Sequence, residues 1–432
     1  MIWFLYELLY IVGFLLYLPR ALWRRRLPHE GWTMRLGRYP ARVVEPLGGR
    51  RPVWLHAVSV GEVLAARPLL RALAEQRPND PLVLSTITPA GFTVASQQGP
   101  PVIPVYFPLD LRSCVRRALE ALHPRCLLLV ESELWPNTLR VAASRGVPIA
   151  VVNGRLSPRA FARYRWVQPW LRGLLGQVAV FLMQSQADAD RVLALGVAPD
   201  RVKVTGSLKW DASLSARPSP QAVQETAARL GLEASLAVIV AGSTHRGEEA
   251  LILRAFQALR AAHPTARLIV APRHLERIAE VEELLRRGGV RAARVSTLQA
   301  GQAWDTAIVD GFGRLPLYYA LASVVVIGGS FIPHGGQNPL EATGLGKPVV
   351  FGPSMHNFET ITHQLLAHHA ARQATDEHEF AALLAELVEH PEDARQMGRR
   401  AQELTERFRG ATQRTMDLLQ PIFLEPASPR GV

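Results

Sequence analysis

Along most of this chain, short apolar runs alternate with stretches whose apolar positions recur at helical spacing. The first half offers runs at Pro52–Val58, Leu82–Thr86, Cys126–Glu131, Ile149–Asn153 and Val180–Gln184, with helix-like stretches such as Ala65–Glu75 and Leu111–Leu122 between them. The second half repeats the scheme at Leu236–Ala241, Arg267–Ala271, Thr306–Val309, Val324–Ile327 and Pro348–Phe351. Runs that are apolar throughout predict strands covered on both faces, and strands separated by helices predict parallel sheets. Ser213, Ser215, Pro218, Ser219 and Pro220 mark the junction of the two halves. The expected organisation is α/β, with a first domain over 24–210, a linker over 211–222 and a second domain from 223 to about 410.

One apolar run is different. Ile2 to Leu18 carries a single charge, Glu7, and is followed by Arg20 and then Arg24, Arg25 and Arg26. A signal peptide has its basic residues before the apolar run and a small-residue cleavage site after it. Here the order is reversed, so residues 1–23 are expected to form an uncleaved membrane-anchor helix. Its length is at the lower limit for a span, which leaves an interfacial helix or a buried core helix as the other forms. The arginines assign the rest of the chain to the cytoplasmic side.

At 432 residues, 48% of them apolar, the chain can fill two cores. The formal charge of +12 comes almost wholly from arginine, since only Lys203, Lys209 and Lys347 are lysines. No RNP-like, zinc-finger or helix-turn-helix signature accompanies it, so nucleic acid is not an expected partner. Anionic lipid or a phosphorylated substrate suits a basic surface equally well. Cys114 and Cys126 have no ligand spacing and read as buried thiols in a reduced compartment.

Ligands of parallel sheets bind beyond the carboxyl ends of the strands, and there the sequence is unusual. After the first run, Ser59 and Glu62 have the spacing of a capping box, while Gly61 admits a close approach and Glu62 stands where a general base belongs. Both readings stay open on spacing alone. Leu84 to Gly91 can be explained by turn chemistry. Glu131 and Glu133 directly follow a very apolar strand, so a partner or a raised pKa is required. Past Asn153-Gly154-Arg155, arginines and aromatics interleave (Arg159, Phe161, Arg163, Tyr164, Arg165, Trp166, Trp170, Arg172), a composition at home at lipid headgroups.

In the second half, Gly242-Ser243-Thr244-His245-Arg246-Gly247-Glu248-Glu249 joins a strand to a helix start, which favours an anion. Pro272-Arg273-His274 adds positive charge. Gly328-Gly329-Ser330 and the segment to Asn338 and Glu341 form a second glycine-rich connection suited to phosphate and ribose. Asp188-Ala189-Asp190 looks like a metal-binding DxD but lies in a helical pattern, where a solvated helix face is expected. The thirteen histidines show no zinc motif.

In their order, these loops resemble those of bacterial Kdo transferases, which add 3-deoxy-D-manno-oct-2-ulosonic acid to lipid A precursors. The motifs are His56–Glu62, Glu131–Asn137, Asn153–Ser157, Gly206–Asp211, Gly242–Glu249, Pro272–Arg277, and Gly328–Glu341 with Gly352–Phe358. Departures are Gly154, Ser207, Trp210 and Leu275, where the family often has Ala, Asn, Phe and Pro. The resemblance implies a GT-B fold of two facing Rossmann-like domains, acceptor on the first and nucleotide sugar on the second, with residues 411–432 supplying a helix that crosses back and a tail. It implies CMP-Kdo as donor, a lipid A precursor as acceptor, inversion at the transferred carbon, and neither cofactor nor metal. It also implies work at the cytoplasmic face of the inner membrane, against anionic lipid; the oligomeric state is left open.

Residue by residue, Glu62 is the expected base, with Glu131 as the reserve and Glu133 as support. Ser59, Gly61, Arg155 and Lys209 are expected at the acceptor or sugar carboxylate. Ser243, Thr244, His245, Gly247, Pro272, Arg273, His274, Gly329, Ser330, Asn338 and Glu341 are expected at the donor. The alternatives are a GT-B enzyme using another nucleotide sugar, an epimerase, and a non-catalytic lipid-binding relative.

Overall fold

The computed structural model describes residues 2–23, 31–215, 217–233, 235–299, 301–311 and 313–424. The chain divides into two units, Met1–Ala212 with Gly410–Val432, and Ser213–Arg409. Each is built on a seven-stranded, wholly parallel sheet.

In the first unit the strands are β1 (Val53–His56), β2 (Leu82–Thr86), β3 (Val102–Tyr106), β4 (Cys126–Val130), β5 (Ile149–Gly154), β6 (Val180–Met183) and β7 (Val202–Val204). Their order is β3-β2-β1-β4-β5-β6-β7. Alternate residues serve opposite faces: Trp54, Leu127 and Leu129 enter one core, while Val53, Leu55, Cys126, Leu128 and Val130 enter the other. That is why these strands read as unbroken apolar runs. The helix Val60–Gln76 covers the second face together with the last helix, Ala411–Leu424. Met416, Leu419 and Phe423 of the latter are buried, at about 1.5–3 kcal/mol each. Asp211 caps it, accepting the amides of Gly410 at 2.8 Å and Thr412 at 2.6 Å.

The second unit holds β8 (Val238–Thr244), β9 (Arg267–Pro272), β10 (Ala292–Arg294), β11 (Thr306–Ile308), β12 (Val324–Ile327), β13 (Val349–Phe351) and β14 (Arg372–Gln373). The order is β10-β11-β9-β8-β12-β13-β14. Helices Glu248–Ala262, Ile278–Arg287 and Glu377–Glu389 cover one face. Residues 211–215, read as linker, continue a helix that begins at Leu208. Ser219 then caps the helix Pro220–Leu230 through the Ala222 amide.

Each sheet has one switch point, where successive strands depart in opposite directions: β1/β4 in the first and β8/β12 in the second. Loops diverge there and leave a crevice.

The first helix, Ile2–Trp23, contains Pro19. No helix among the described residues is long and apolar enough to cross a membrane. One side of it meets the first unit: Trp3 packs on the core, Tyr6 donates to Asp110 at 2.8 Å, and Phe14 stacks on Trp32. Leu5, Leu8, Leu9, Val12 and Leu16 are exposed at helical spacing. The Arg24–Arg26 cluster and the tail 425–432 lie outside the described residues.

Candidate active site

Three carboxylates gather at the switch point of the first sheet. Glu62 is the third residue of the helix Val60–Gln76. Its Oε2 accepts the Val58 amide at 2.8 Å and its Oε1 the Ser59 hydroxyl at 3.1 Å. This is not a capping box, in which the serine oxygen would accept a helix amide; Ser59 caps nothing and donates to Glu62 instead. Burial pushes the Glu62 carboxyl up to about 8, and the charges of Glu131 and Glu133 add to the rise. Gly61 stands in open space, since an added Cβ would meet only Ser59 Oγ at 3.9 Å.

Glu131 leaves β4 at φ 62°, a left-handed conformation costing a non-glycine residue about 1–2 kcal/mol. Its Oε1 lies 3.0 Å from Lys209 Nζ, both side chains being largely buried. Burial, then the charge of Glu131, raises the Glu133 carboxyl. Asn153, at φ 52°, sits in a register shift of β5. Its Oδ1 accepts the Leu208 amide at 2.9 Å and so fixes the approach to Lys209, while its buried Nδ2 has no partner. Arg155 joins Glu131 and Ser132 in lining a small pocket, with Leu134, Leu156, Phe181 and Met183 among its other walls.

Two residues given no role by the sequence belong here. His56 ends β1, fully buried, stacked on Phe107 at 3.7 Å with Nδ1 against Ser85 and Nε2 unpartnered. Burial lowers it to about 3, so it is a neutral ring. Asp110 is buried behind the acidic loop and is treated below. Its only sequence signal is a lone acid just before a helix. Asp188 corrects an expectation: it is buried, not solvated, and accepts the Leu156 amide at 2.9 Å, bracing the Arg155 segment. Among the described residues no group of three or more His, Cys, Asp or Glu is placed to hold a metal.

The second switch point repeats the first in outline. Arg246-Gly247-Glu248 follows β8 as Val60-Gly61-Glu62 follows β1. The carboxylates differ completely in what they touch. Glu248 is fully buried; its Oε1 accepts the amides of Ser330 and Phe331, both at 3.0 Å, and its Oε2 those of Gly329 at 2.6 Å and His245 at 2.9 Å. The Gly328–Ser330 turn, expected to offer its amides to phosphate, therefore spends those of Gly329 and Ser330 on Glu248. The Ser330 hydroxyl is likewise committed, donating to Ile327 O at 2.5 Å and accepting the Gly352 amide at 2.8 Å. Thr244 donates to Glu249, which Arg277 holds bidentately at 2.8 and 3.2 Å. Gly329, Ser330 and Thr244 thus shape this crevice from behind.

What remains is Arg273 and a group of imidazoles. The His245 and His334 rings are 4.0 Å apart, His274 lies 5.7 Å from His245, and Gln337 Nε2 is 3.2 Å from His245 Nε2. Burial, then the positive neighbours His334, His274, Arg273 and Arg277, lowers His245 to about 4. Arg273 and His274 are exposed beyond Pro272, which ends β9, and Gly247 is exposed at φ 97°. Ser243 is left-handed at φ 56°, within a register shift of β8. Asn338 accepts the Leu340 amide at 3.1 Å, and half-buried Glu341 follows. The arrangement is matched to an anion, whose charge would offset the part of the His245 depression that its positive neighbours cause.

Residues 30–212 match the family model described as 3-Deoxy-D-manno-octulosonic-acid transferase (kdotransferase). The chain is 35% identical over 416 residues to the 3-deoxy-D-manno-octulosonic acid transferase of Bordetella pertussis, covering 92% of this chain and 94% of that one. It is 31% identical to the Haemophilus influenzae enzyme of the same name, covering 86% and 87%. Among solved structures, the UDP-GlcNAc 2-epimerase of Neisseria meningitidis bound to UDP-GlcNAc superposes with a TM-score of 0.60 at 14% identity, over 86% of this chain and 100% of that chain. At that identity the likeness shows the fold alone, which is GT-B-like.

Proposed function

Because this chain belongs to the 3-deoxy-D-manno-octulosonic acid transferase family and is a glycosyltransferase, we propose that it transfers Kdo from CMP-Kdo to a lipid A precursor, with inversion and with Glu62 as the base. The observation that carries this reading is the incomplete satisfaction of Glu62. It is half-buried at a switch point, takes one amide and one hydroxyl, and has a pKa raised to about 8. A carboxylate so placed has lone pairs to spare and a stronger pull on a proton than an ordinary glutamate.

In the proposed reaction the acceptor hydroxyl gives its proton to Glu62 as its oxygen forms a bond to the anomeric carbon of Kdo. The bond from that carbon to the CMP phosphate breaks, and the electron pair leaves with CMP. Arg273, His274 and His245 stabilise the departing phosphate; Asn338 and Glu341 hold the nucleoside. Lys209, fixed by Glu131, and Arg155 meet the anionic groups of acceptor and sugar. The exposed leucine stripe of the first helix, with Trp166 at 86% and Trp170 at 52% exposure among arginines, lies on the inner-membrane surface.

The test is CMP release from CMP-Kdo with a tetra-acylated lipid A precursor, for wild type and Glu62→Gln. Acceptor-dependent release by the wild type, reduced about 100- to 10,000-fold in a folded variant, is the expected outcome. An equally active variant would remove Glu62 as the base and make Glu131 the next residue to substitute.

A further inference from the structure

Two helices beside the acidic loop begin without a cap of their own. The helix Pro136–Ser144 starts directly after that loop, with Trp135 at the N-cap and no side-chain cap bond. The helix Arg112–Leu122 starts after Leu111, again with none. Both starts are served by carboxylates from elsewhere. Asp110, 1% exposed, accepts the Thr138 amide at 2.8 Å, the Thr138 hydroxyl at 2.7 Å and the Asn137 amide at 3.0 Å. Its backbone oxygen accepts Asn137 Nδ2 at 2.8 Å. Glu7, the single charge in the N-terminal apolar run, accepts the Arg112 amide at 2.6 Å and lies 3.4 Å from Asn137 Nδ2. Tyr6 completes the set with its hydroxyl on Asp110 at 2.8 Å. Trp3 adds packing, with the Arg140 guanidinium 4.8 Å over its ring.

A helix that only anchors would have no use for these bonds. Unserved helix-start amides, and a buried carboxylate short of donors, carry a cost that the N-terminal helix removes. The acidic loop is then gripped at both ends: Glu131 by Lys209 and by its own amide on Val152 O at 3.0 Å, and residues 136–138 by Asp110.

We propose that the N-terminal helix is a positioning element of the transfer site, in which Tyr6 and Glu7 act through Asp110 and Asn137 to hold the Glu131–Trp135 loop in register with Glu62. The proposal rests on the reading of that loop as part of the reaction site. It gives the first helix a role in turnover that is separate from holding the enzyme at lipid. Tyr6, Glu7 and Asp110 are positioning residues, since each acts on the chemistry through the loop.

The test uses the full chain with three variants: Tyr6→Phe, Glu7→Ala, and Leu16→Ser on the exposed stripe. Three quantities are measured on each: amide hydrogen exchange across residues 131–138, kcat and the donor KM, and binding to anionic vesicles. Tyr6→Phe and Glu7→Ala are expected to speed exchange at Asn137 and Thr138 by roughly tenfold or more, the scale of one lost hydrogen bond to a charged group. They should lower kcat while leaving donor KM and vesicle binding in place. Leu16→Ser should weaken vesicle binding and leave exchange alone.

The proposal is overturned if Tyr6→Phe and Glu7→Ala leave exchange unchanged, if exchange rises while kcat stays, or if kcat falls only in step with vesicle binding. Glu131→Gln and Glu133→Gln separate the two levels. If both retain full kcat while Tyr6→Phe still loosens residues 131–138, the coupling exists and the reading of the loop as reactive has failed.

Discussion

The two glutamates that follow β1 and β8 give a paired experiment. Glu248 serves four buried amides with two oxygens, His245 and Gly329 on one, Ser330 and Phe331 on the other. Glutamine has a single carbonyl oxygen, so Glu248→Gln can serve one pair only and turns an NH2 group towards the other. Two buried donors without acceptors cost about 1–3 kcal/mol each, hence roughly 2–6 kcal/mol from a stability of order 5–15 kcal/mol. Glu62→Gln behaves oppositely. The Glu62 carboxyl keeps its proton up to about pH 8, whereas the unfolded chain loses it near 4.5. Between those values the native state binds more protons, so wild-type stability falls as pH rises through the window. Glutamine imitates the protonated acid and does not titrate, so the variant should match wild type below about pH 4.5, exceed it increasingly through the window, and keep a constant excess above about pH 8. Urea unfolding at pH 6 and pH 9, with hydrogen exchange at residues 329–331 to isolate the second unit, checks both halves. A Glu248→Gln protein that unfolds with wild-type midpoint and wild-type exchange, yet turns over no donor, would refute the structural account of Glu248 and make it a donor ligand.

Three further outcomes follow from the same geometry. The pH profile of kcat/KM should rise along a limb near pH 8, and Glu131→Gln should move that limb to lower pH, because removing a like charge stabilises ionised Glu62; a limb that does not respond counts against Glu62. Gly328→Ala should destabilise by about 1–3 kcal/mol or more, since its Cβ would fall 2.3 Å from the Ser243 backbone oxygen, whereas Gly154→Ala meets the flexible Met183 side chain at 2.6 Å and should be tolerated; thermal unfolding distinguishes them. Trp166→Ser with Trp170→Ser should weaken binding to anionic vesicles without lowering the unfolding midpoint, as both rings are exposed, and vesicle flotation measures it.

How far the sequence could be read follows from where each strand lies. The ten runs recognised as strands are interior members of the two sheets, apolar because both faces are covered. The four that escaped are β3, β7, β10 and β14, and each is a sheet edge. Pro104, Lys203, Arg294 and Arg372 stand in them, residues tolerated or favoured where one flank meets solvent. Periodicity fails at edges for that physical reason. The loops after the strands could be located because the carboxyl end of a parallel strand is where chemistry must lie. What each loop residue spends its hydrogen bonds on could not be read, since it depends on partners distant in the chain. Ser330 and Asp188 show this best: one read as a phosphate ligand and the other as solvated, and both are buried and committed.

The left-handed residues bear on which crevice residues are reactive. Glu131, Asn153 and Ser243 adopt positive φ at the carboxyl ends of β4, β5 and β8. A glycine would take that conformation without strain, so the retained side chains must return the cost elsewhere. Asn153 does so through the Leu208 amide and Glu131 through Lys209. Their strain therefore serves to aim Lys209 and the acidic loop. Burial first, and then the nearby charges of Glu131 and Glu133, raise Glu62 to about 8. A loop free to relax would let those charges separate, and Glu62 would drift back towards an ordinary carboxylate, a weaker base. Backbone strain at Glu131, the Lys209 pair and the Asp110 cap thus act on one quantity, the proton affinity of Glu62. Loosening any of them should lower the pKa read from the rate profile before it lowers the stability of the fold.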